Sequence, residues 1–527
     1  MTAEGPTLLA AVGLLVVAGG LPLLAMLVAS LTTPDGLSLA AYANLVDSAR
    51  PWVLLLRSLA VGAIGAAWAL AIGWPIGVLC ERTDLPGRGV LTLMLSVPFF
   101  LPTYINAVAW ALILGRGGPI ARLVGNSAGA ESLLFSLGGC GFVLGTCFAP
   151  LLLILTRASL RTVDPRLEDA ARLATGWPAT LRGITLPLAY PGTVLAAGLV
   201  FLLAAGDLAV PMYLRTDVFP TVSFTEFAAA YRFGTATALA IPLVLLALLV
   251  LGVEARIVPA RIASLRLVAA NRSRSKISLG RARWPVAALL FAVAAALVVL
   301  PLGALAGDAL APGALTDAWR RAGDAALRSV AWAAAGASLL TILGFLLGYL
   351  IQRRALRASR WADRLSLFLF ATPGTVLGIG LVALWNHPAT NWIYATPIVV
   401  MLGFLGQFAA VSGRICGNAV AAIPVRLEEA AQLSGARWWR RMLRIVVPLA
   451  ASGLAAAWLA SFLFCLRDLG ISMIVYPPGA DTLPVRTFTL MANGAPPLVA
   501  ALCAMMIVAA LGPLLLLGAT LHQMGEP

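Results

Sequence analysis

Apolar stretches long enough to cross a lipid bilayer recur along all 527 residues of this chain, and they leave few folds open. They run over Thr7–Leu31, Ser58–Cys80, Val90–Leu114, Leu137–Leu155, Pro187–Leu214, Ala236–Val258, Pro285–Leu305, Ser329–Ile351, Leu365–Trp385, Trp392–Ser412, Pro448–Val475 and Leu498–Leu521. Each reaches across a hydrocarbon core of about 30 Å at about 1.5 Å per helical residue. In lipid the backbone must satisfy its own N–H and C=O groups, so such stretches fold as helices. With 61% hydrophobic and 11% charged residues, the chain has too little polar surface to cover a water-soluble globule. The expected fold is an all-α polytopic membrane protein with about twelve transmembrane helices.

Charge in the connecting loops gives an orientation. The loops 81–89, 157–186, 254–285, 352–364 and 414–445 hold 26 of the 37 Lys and Arg residues, and the alternate loops hold ten. Basic loops stay cytoplasmic, and an even span count then puts both termini there too. The net charge of +15 is divided among membrane-bounded loops and forms no single basic face, so nucleic acid is not an expected partner. The first apolar stretch follows Glu4 and no basic residue and is longer than a signal-peptide core, so it is expected to remain as the first span. Cys80, Cys140, Cys147, Cys416, Cys465 and Cys503 show no CxxC spacing, and the only histidines are His387 and His522. Neither a metal site nor a cofactor is expected, and no nucleophile–base set marks an enzyme.

The second half repeats the first. Leu55–Gly77 aligns with Ala326–Gly348 at an offset of 271, which matches Arg57 with Arg328, Ser58 with Ser329, Gly73 with Gly344 and Gly77 with Gly348. Pro102 and Pro373 share that offset, which falls to 260 at Glu168 and Glu428 and is 261 at Pro187 and Pro448. The change belongs to the longer outer loop near 115–135. Six spans per half make two parallel six-helix repeats: a first domain over 1–258, a basic cytoplasmic linker over 259–284, and a second domain over 285–527. The linker region, with eight basic residues between Glu254 and Trp284, reads as a solvated tether on anionic headgroups.

The strongest repetition is in two cytoplasmic loops, LEDAARLATGWPATLRGITLP (Leu167–Pro187) and LEEAAQLSGARWWRRMLRIVVP (Leu427–Pro448). Asp164 and Pro165 read as a helix N-cap and first residue, and Glu168 with Asp169 falls in the first turn, where carboxylates complement the helix dipole. Glu428 and Glu429 repeat this after Pro424. Ala170 with Ala171, and Ala430 with Ala431, leave little bulk, so each helix can lie close in a partner's groove. Gly176 and Gly435 mark the exits. Trp438 and Trp439, with Arg437, Arg440, Arg441 and Arg444, suit the headgroup layer, and Pro187 and Pro448 are placed to open the next span. Two unpartnered amphipathic helices would share this composition, but repetition at matched positions favours docking.

EEAAQLSG, followed nine residues later by IVVP, resembles the EAA loop of binding-protein-dependent ABC importer permeases. Glu429, Ala430, Ala431, Gly435, Ile445 and Pro448 fit that pattern at full spacing, with Val447 in place of Leu. The first copy has Asp169 for Glu, Gly176 one residue late, and one residue fewer between Ala171 and Pro187. The resemblance covers nearly the whole chain as a fused pair of MetI-like permease domains. It implies that Glu168, Asp169, Ala170, Ala171, Gly176, Glu428, Glu429, Ala430, Ala431 and Gly435 couple the membrane helices to two copies of a separate ATP-binding subunit. It also implies an extracytoplasmic substrate-binding protein, membrane lipid around the spans, and a bacterial inner membrane. ATP binding by this chain is not expected, because Lys276, its only lysine, follows RSRS and not GxxxxG. LPTYINAVAW and IVYPPGADTLPVRTFTLMANG resemble the ferric-iron permeases most, and thiamine, phosphonate and polyamine importers share the architecture.

Asp207 in LAAGDLAVP and Asp468 in CLRDLGIS each lie 20 residues past the loop proline, at an offset of 261. Along a straight helix that is about 30 Å, near the outer membrane face. With Arg467 beside the second, they are candidates for the substrate pathway; the competing reading is charge at a helix end, satisfied by water. Thr103, Tyr104 and Asn106 after Pro102 form a weaker polar patch. The alternative function is an ion-driven secondary transporter, which also has two six-helix repeats and a basic linker.

Overall fold

A computed structural model of the chain describes residues 4–33, 36–39, 42–43, 47–229, 233–257, 276–356 and 358–524. Among these, nine helices are long and apolar enough to span a membrane: Glu4–Leu31, Ala49–Arg82, Leu137–Leu160, Trp177–Tyr213, Gly234–Val253, Gly280–Ala309, Ala314–Arg353, Pro397–Ala421 and Pro496–Pro513. Three bent pairs complete the expected twelve: Arg88–Phe100 with Thr103–Leu114 at 103°, Ser359–Ala371 with Gly374–Trp385 at 107°, and Trp438–Leu449 with Ala451–Arg467 at 79°. The only strand pair among the described residues is Thr32–Thr33 with Gly36–Leu37.

The first two bends have the same cause. Pro102 and Pro373 lack an N–H and push Leu101 and Thr372 into extended conformations, so the helix stops and restarts. In the second case Gln407 Nε2 donates to the carbonyls of Phe370 (3.2 Å) and Thr372 (2.8 Å), which the bend would otherwise leave without partners.

The chain forms two compact units. One comprises Ala49–Thr221 and Pro242–Asp308, and the other Met1–Ser48, Val222–Ile241 and Ala309–Pro527. In the first, Ala49–Arg82 packs on Leu137–Leu160 so closely that a Cβ on Gly73 would stand 2.4 Å from the Ala149 carbonyl oxygen. In the second, Ala314–Arg353 packs on Pro397–Ala421, and a Cβ on Gly344 would stand 2.2 Å from Ser412 Oγ. Small residues at such seams let helix backbones meet without water to drive them together. Ser58 and Ser329 are also equivalent: their hydroxyls accept from the first N–H of Phe219–Ala228 and of Leu483–Met491, at 2.9 and 2.6 Å. Matched π-turns at Leu181–Thr185 and Met442–Val446 precede the loop prolines.

The units cut across the sequential halves. The first span, Glu4–Leu31, packs among second-half helices, where a Cβ on Gly406 would stand 2.6 Å from Ala18 O and one on Gly380 2.6 Å from Pro22 O. Conversely, Gly280–Ala309 packs among first-half helices, with Leu297 and Val298 lining a small apolar cavity beside Ile72, Leu95 and Leu153. Each unit therefore carries the opening span of the other half. Within the expected linker, residues 259–275 lie outside the described residues, and the seventh span begins at Gly280, ahead of the expected Pro285.

Candidate functional site

The two loop helices are Pro165–Thr175 and Val425–Leu433. Asp164 caps the first as its sequence predicts, its side chain accepting from Arg166 N at 3.0 Å. Glu168 and Glu428 do not face outward. They are 3% and 4% exposed, and each is held by the arginine that ends a long span. Arg82 Nη2 lies 3.0 Å from Glu168 Oε1 and donates to Leu160 O at 2.7 Å; Thr185 Oγ1 donates to the same Glu168 oxygen at 2.7 Å. Arg353 Nη2 lies 2.7 Å from Glu428 Oε1 and donates to Ile423 O at 2.9 Å, and Tyr349 Oη donates to Glu428 Oε2 at 2.8 Å. Arg82 and Arg353 are themselves matched at the repeat offset of 271. Charge-assisted bonds in such dry surroundings fix each loop helix to the end of its span.

The outward faces also match. Asp169, Ala170 and Leu173 in one helix, and Glu429, Ala430 and Leu433 in the other, are exposed, while Ala171 and Ala431 are half-buried. Leu173 is 91% exposed and Leu433 90%. Gly176 and Gly435 both end their helices at positive φ, 76° and 79°, where glycine is favoured. Their exits differ: Gly176 N bonds Arg172 O, whereas the second helix closes with Ala436 N on Ala431 O, a Schellman-type bond.

One expectation for the loop ends changes. Trp438 and Arg441 are buried against the protein: Trp438 packs edge-on to Tyr349, and Arg441 Nη1 donates to Gln432 Oε1 at 2.8 Å. Trp439, Arg440 and Arg444 remain exposed. Pro187 and Pro448 sit in the first turns of Leu186–Ala205 and Val447–Leu449, as the sequence predicts, while the helical chain itself begins upstream at Trp177 and Trp438. Each proline follows a π-turn, where its missing N–H interrupts the ladder least.

Asp207 and Asp468 stand at breaks where the chain leaves the helices Leu186–Ala205 and Ala451–Arg467 and re-enters the short helices Ala209–Tyr213 and Ser472–Val475. Asp207 Oδ1 accepts from Val210 N at 2.9 Å, and Oδ2 from Thr103 Oγ1 at 2.8 Å. Asp468 Oδ2 accepts from Ser472 N and Ser472 Oγ, both at 2.8 Å. The Arg467 guanidinium lies 5.0 Å from the centre of the Phe464 ring. Both acids thus bond backbone N–H groups of the restarted helices, and Thr103 ties the break in the third span to that in the fifth. Asp468→Ala is expected to cost about 1 kcal/mol of stability and Asp468→Asn less, since the asparagine amide oxygen still accepts from Ser472; thermal unfolding in detergent measures the difference.

Residues 340–519 match the family described as binding-protein-dependent transport system inner membrane component. A ferric transport system permease protein of Haemophilus influenzae is 21% identical over 81% of this chain and 70% of its own length. The ferric transport system permease protein FbpB of Actinobacillus pleuropneumoniae is 22% identical over 82% of this chain, which spans 64% of that relative. The molybdenum transport system permease protein ModB of Escherichia coli is 30% identical over 30% of this chain and 68% of its own length. The chain belongs to the binding-protein-dependent transport permeases. It is a multi-pass membrane transport protein.

In this permease the fold brings together residues that are far apart in the sequence. Arg82 and Arg353 hold the loop acids and are legible in the sequence only as the last charged residues of two matched spans. Leu173 and Leu433 are legible as apolar residues in polar helices. Tyr104 and Asn106 are buried, Asn106 Nδ2 lying 2.8 Å from Cys147 Sγ, so of the weaker patch it is Thr103 that meets a candidate acid.

Proposed function

We propose that this permease is the membrane subunit of an ABC importer that takes up ferric iron, working with two copies of a cytosolic ATP-binding subunit and an extracytoplasmic substrate-binding protein. The observation that carries the reading is the matched pair of loop helices, each with one acid clamped inside and an acid, alanine and leucine displayed outside. In this reading Asp169, Ala170, Leu173, Glu429, Ala430 and Leu433 seat in the ATP-binding subunits, while Glu168 and Glu428 act as positioning residues. Ala171, Ala431, Gly176 and Gly435 shape the seat. Closure of the ATPase pair pushes on both helices, and the Arg–Glu clamps pass that displacement into the spans Ala49–Arg82 and Ala314–Arg353.

The basic loops support a cytoplasmic position for both termini in a bacterial inner membrane. Domains 1–258 and 285–527 are read as duplicated sequence units joined by the linker 259–284. Asp207, Arg467 and Asp468 are assigned to the side of the substrate pathway, where the two acids hold the broken spans in shape. The relatives named for ferric transport support iron, and family membership speaks against an ion-driven secondary transporter.

The test is uptake of radio-iron into proteoliposomes that hold the permease with its ATP-binding subunit and are supplied with the substrate-binding protein. Asp169→Lys and Glu429→Lys are expected to lower ATP-driven uptake about ten-fold or more, a loss of roughly 1.4 kcal/mol in coupling. Undiminished uptake in both variants ends the coupling assignment; ATP-driven uptake of molybdate or thiamine in place of iron reassigns the substrate alone.

A further inference from the structure

The end of the linker is built into the first coupling element. Ile277 N donates to Arg82 O at 2.8 Å and Asp84 N donates to Ile277 O at 3.2 Å, which makes a parallel bridge between Thr83 and Ile277. The Asp84 carboxylate closes the contact: Oδ1 accepts from Leu279 N at 2.9 Å and Oδ2 from Ser278 Oγ at 3.5 Å. Arg82, whose carbonyl receives the strand, is the residue whose guanidinium holds Glu168. Its side chain is 1% exposed, so its backbone and head group are fixed within one small volume.

Among the described residues the second half has no such dock. At the repeat offset of 271, Thr83 and Asp84 correspond to Arg354 and Ala355, which carry no carboxylate. There Ala355 N bonds back to Leu350 O at 3.2 Å, and Arg354 takes the left-handed conformation with φ 49°. The loop after the eighth span closes on its own helix, whereas the loop after the second span closes on residues 276–279.

We propose that Lys276–Leu279 is a docking strand whose seat, Arg82–Asp84, positions the first coupling helix, so that the linker governs the first ATPase contact and not the second. This rests on the coupling role assigned above. With the strand in place, Arg82 cannot shift without breaking backbone hydrogen bonds, and displacement of the first loop helix passes into the span. With the strand released, the Arg82–Glu168 pair moves as a loose end, and ATP is hydrolysed with less substrate carried. Asp84 is thus a positioning residue, acting through Arg82.

Two measurements on the full-length permease in membranes test this. Thr83→Cys with Ile277→Cys is expected to form a disulfide under mild oxidant, since bridged residues lie within disulfide reach and the six native cysteines are buried. No cross-link overturns the docked strand. In proteoliposomes with the ATP-binding subunit and the substrate-binding protein, Asp84→Ala is expected to lower substrate carried per ATP about five-fold, the effect of losing one hydrogen-bonded anchor. Asp84→Asn, whose amide oxygen still accepts from Leu279 N, is expected to keep most of it. A merely structural role would lower uptake and hydrolysis together, and that result, or no change, overturns the proposal. Glu429→Lys in the same vesicles separates the two readings: undiminished uptake there removes the coupling assignment itself, while lowered uptake there beside an unchanged ratio in Asp84→Ala removes only the docking strand.

Discussion

Arg353→Met is expected to destabilise the permease by about 3–5 kcal/mol, because it leaves the Glu428 carboxylate buried with no countercharge. Glu428 has a side chain 6% exposed and keeps the Tyr349 hydroxyl as its remaining hydrogen-bond donor. A second change, Glu428→Gln, removes the stranded charge while preserving the bond from Tyr349, so the double variant is expected to recover most of the loss. Thermal unfolding of the detergent-solubilised protein reads both. Uptake is expected to fall in the single and the double variant alike, since neither restores a rigid link between loop helix and span. A single variant as stable as the parent would mean that Glu428 finds water or another partner, and the clamp would lose its part in the mechanism.

Leu433→Asp and Leu173→Asp are expected to do the opposite. At 90% and 91% exposure these leucines contribute almost nothing to the fold, so stability should stay within about 0.5 kcal/mol. In the proposed docking role an aspartate at either position places a charge in an apolar contact, at a cost of about 2 kcal/mol or more, which predicts roughly thirty-fold weaker association with the ATP-binding subunit. Co-purification of that subunit with each variant measures the loss, and Leu433→Met is expected to retain binding because it preserves bulk and apolar surface. Full association of both aspartate variants would show that these faces are not the docking surface.

Residues with opposite expected effects thus lie within a few positions of one another, and there the sequence stops being legible. Spans, repeat and loop helices are readable because lipid imposes long apolar runs and because Gly73 and Gly344, or Ser58 and Ser329, recur at a fixed offset. Adjacent helical residues differ by about 100° in direction. Composition alone therefore cannot say that Glu168 turns inward and Asp169 outward. That depends on Arg82, a residue far off in sequence. Nor does composition say that the chain unwinds beside Asp207 and Asp468, whose carboxylates bond N–H groups of the short helices beyond the breaks. Trp438 and Arg441 look interfacial because tryptophan and arginine are common there, yet Tyr349 and Gln432 offer them buried partners.

The exchange of opening spans carries no local signature, since small residues such as Ala18 and Gly19 suit any close helix contact. Its consequence is one of timing. Gly19 packs against Leu369, 350 residues later in the chain, and at a synthesis rate of about 5–20 residues per second that partner emerges about 20–70 s after the first span. During that interval the first helix waits in the bilayer with its small-residue face against lipid tails, open to any other helix that diffuses past. Carrying both halves on one polypeptide ensures that the intended partner arrives in the same molecule, so the fused chain protects its own biogenesis from mispairing.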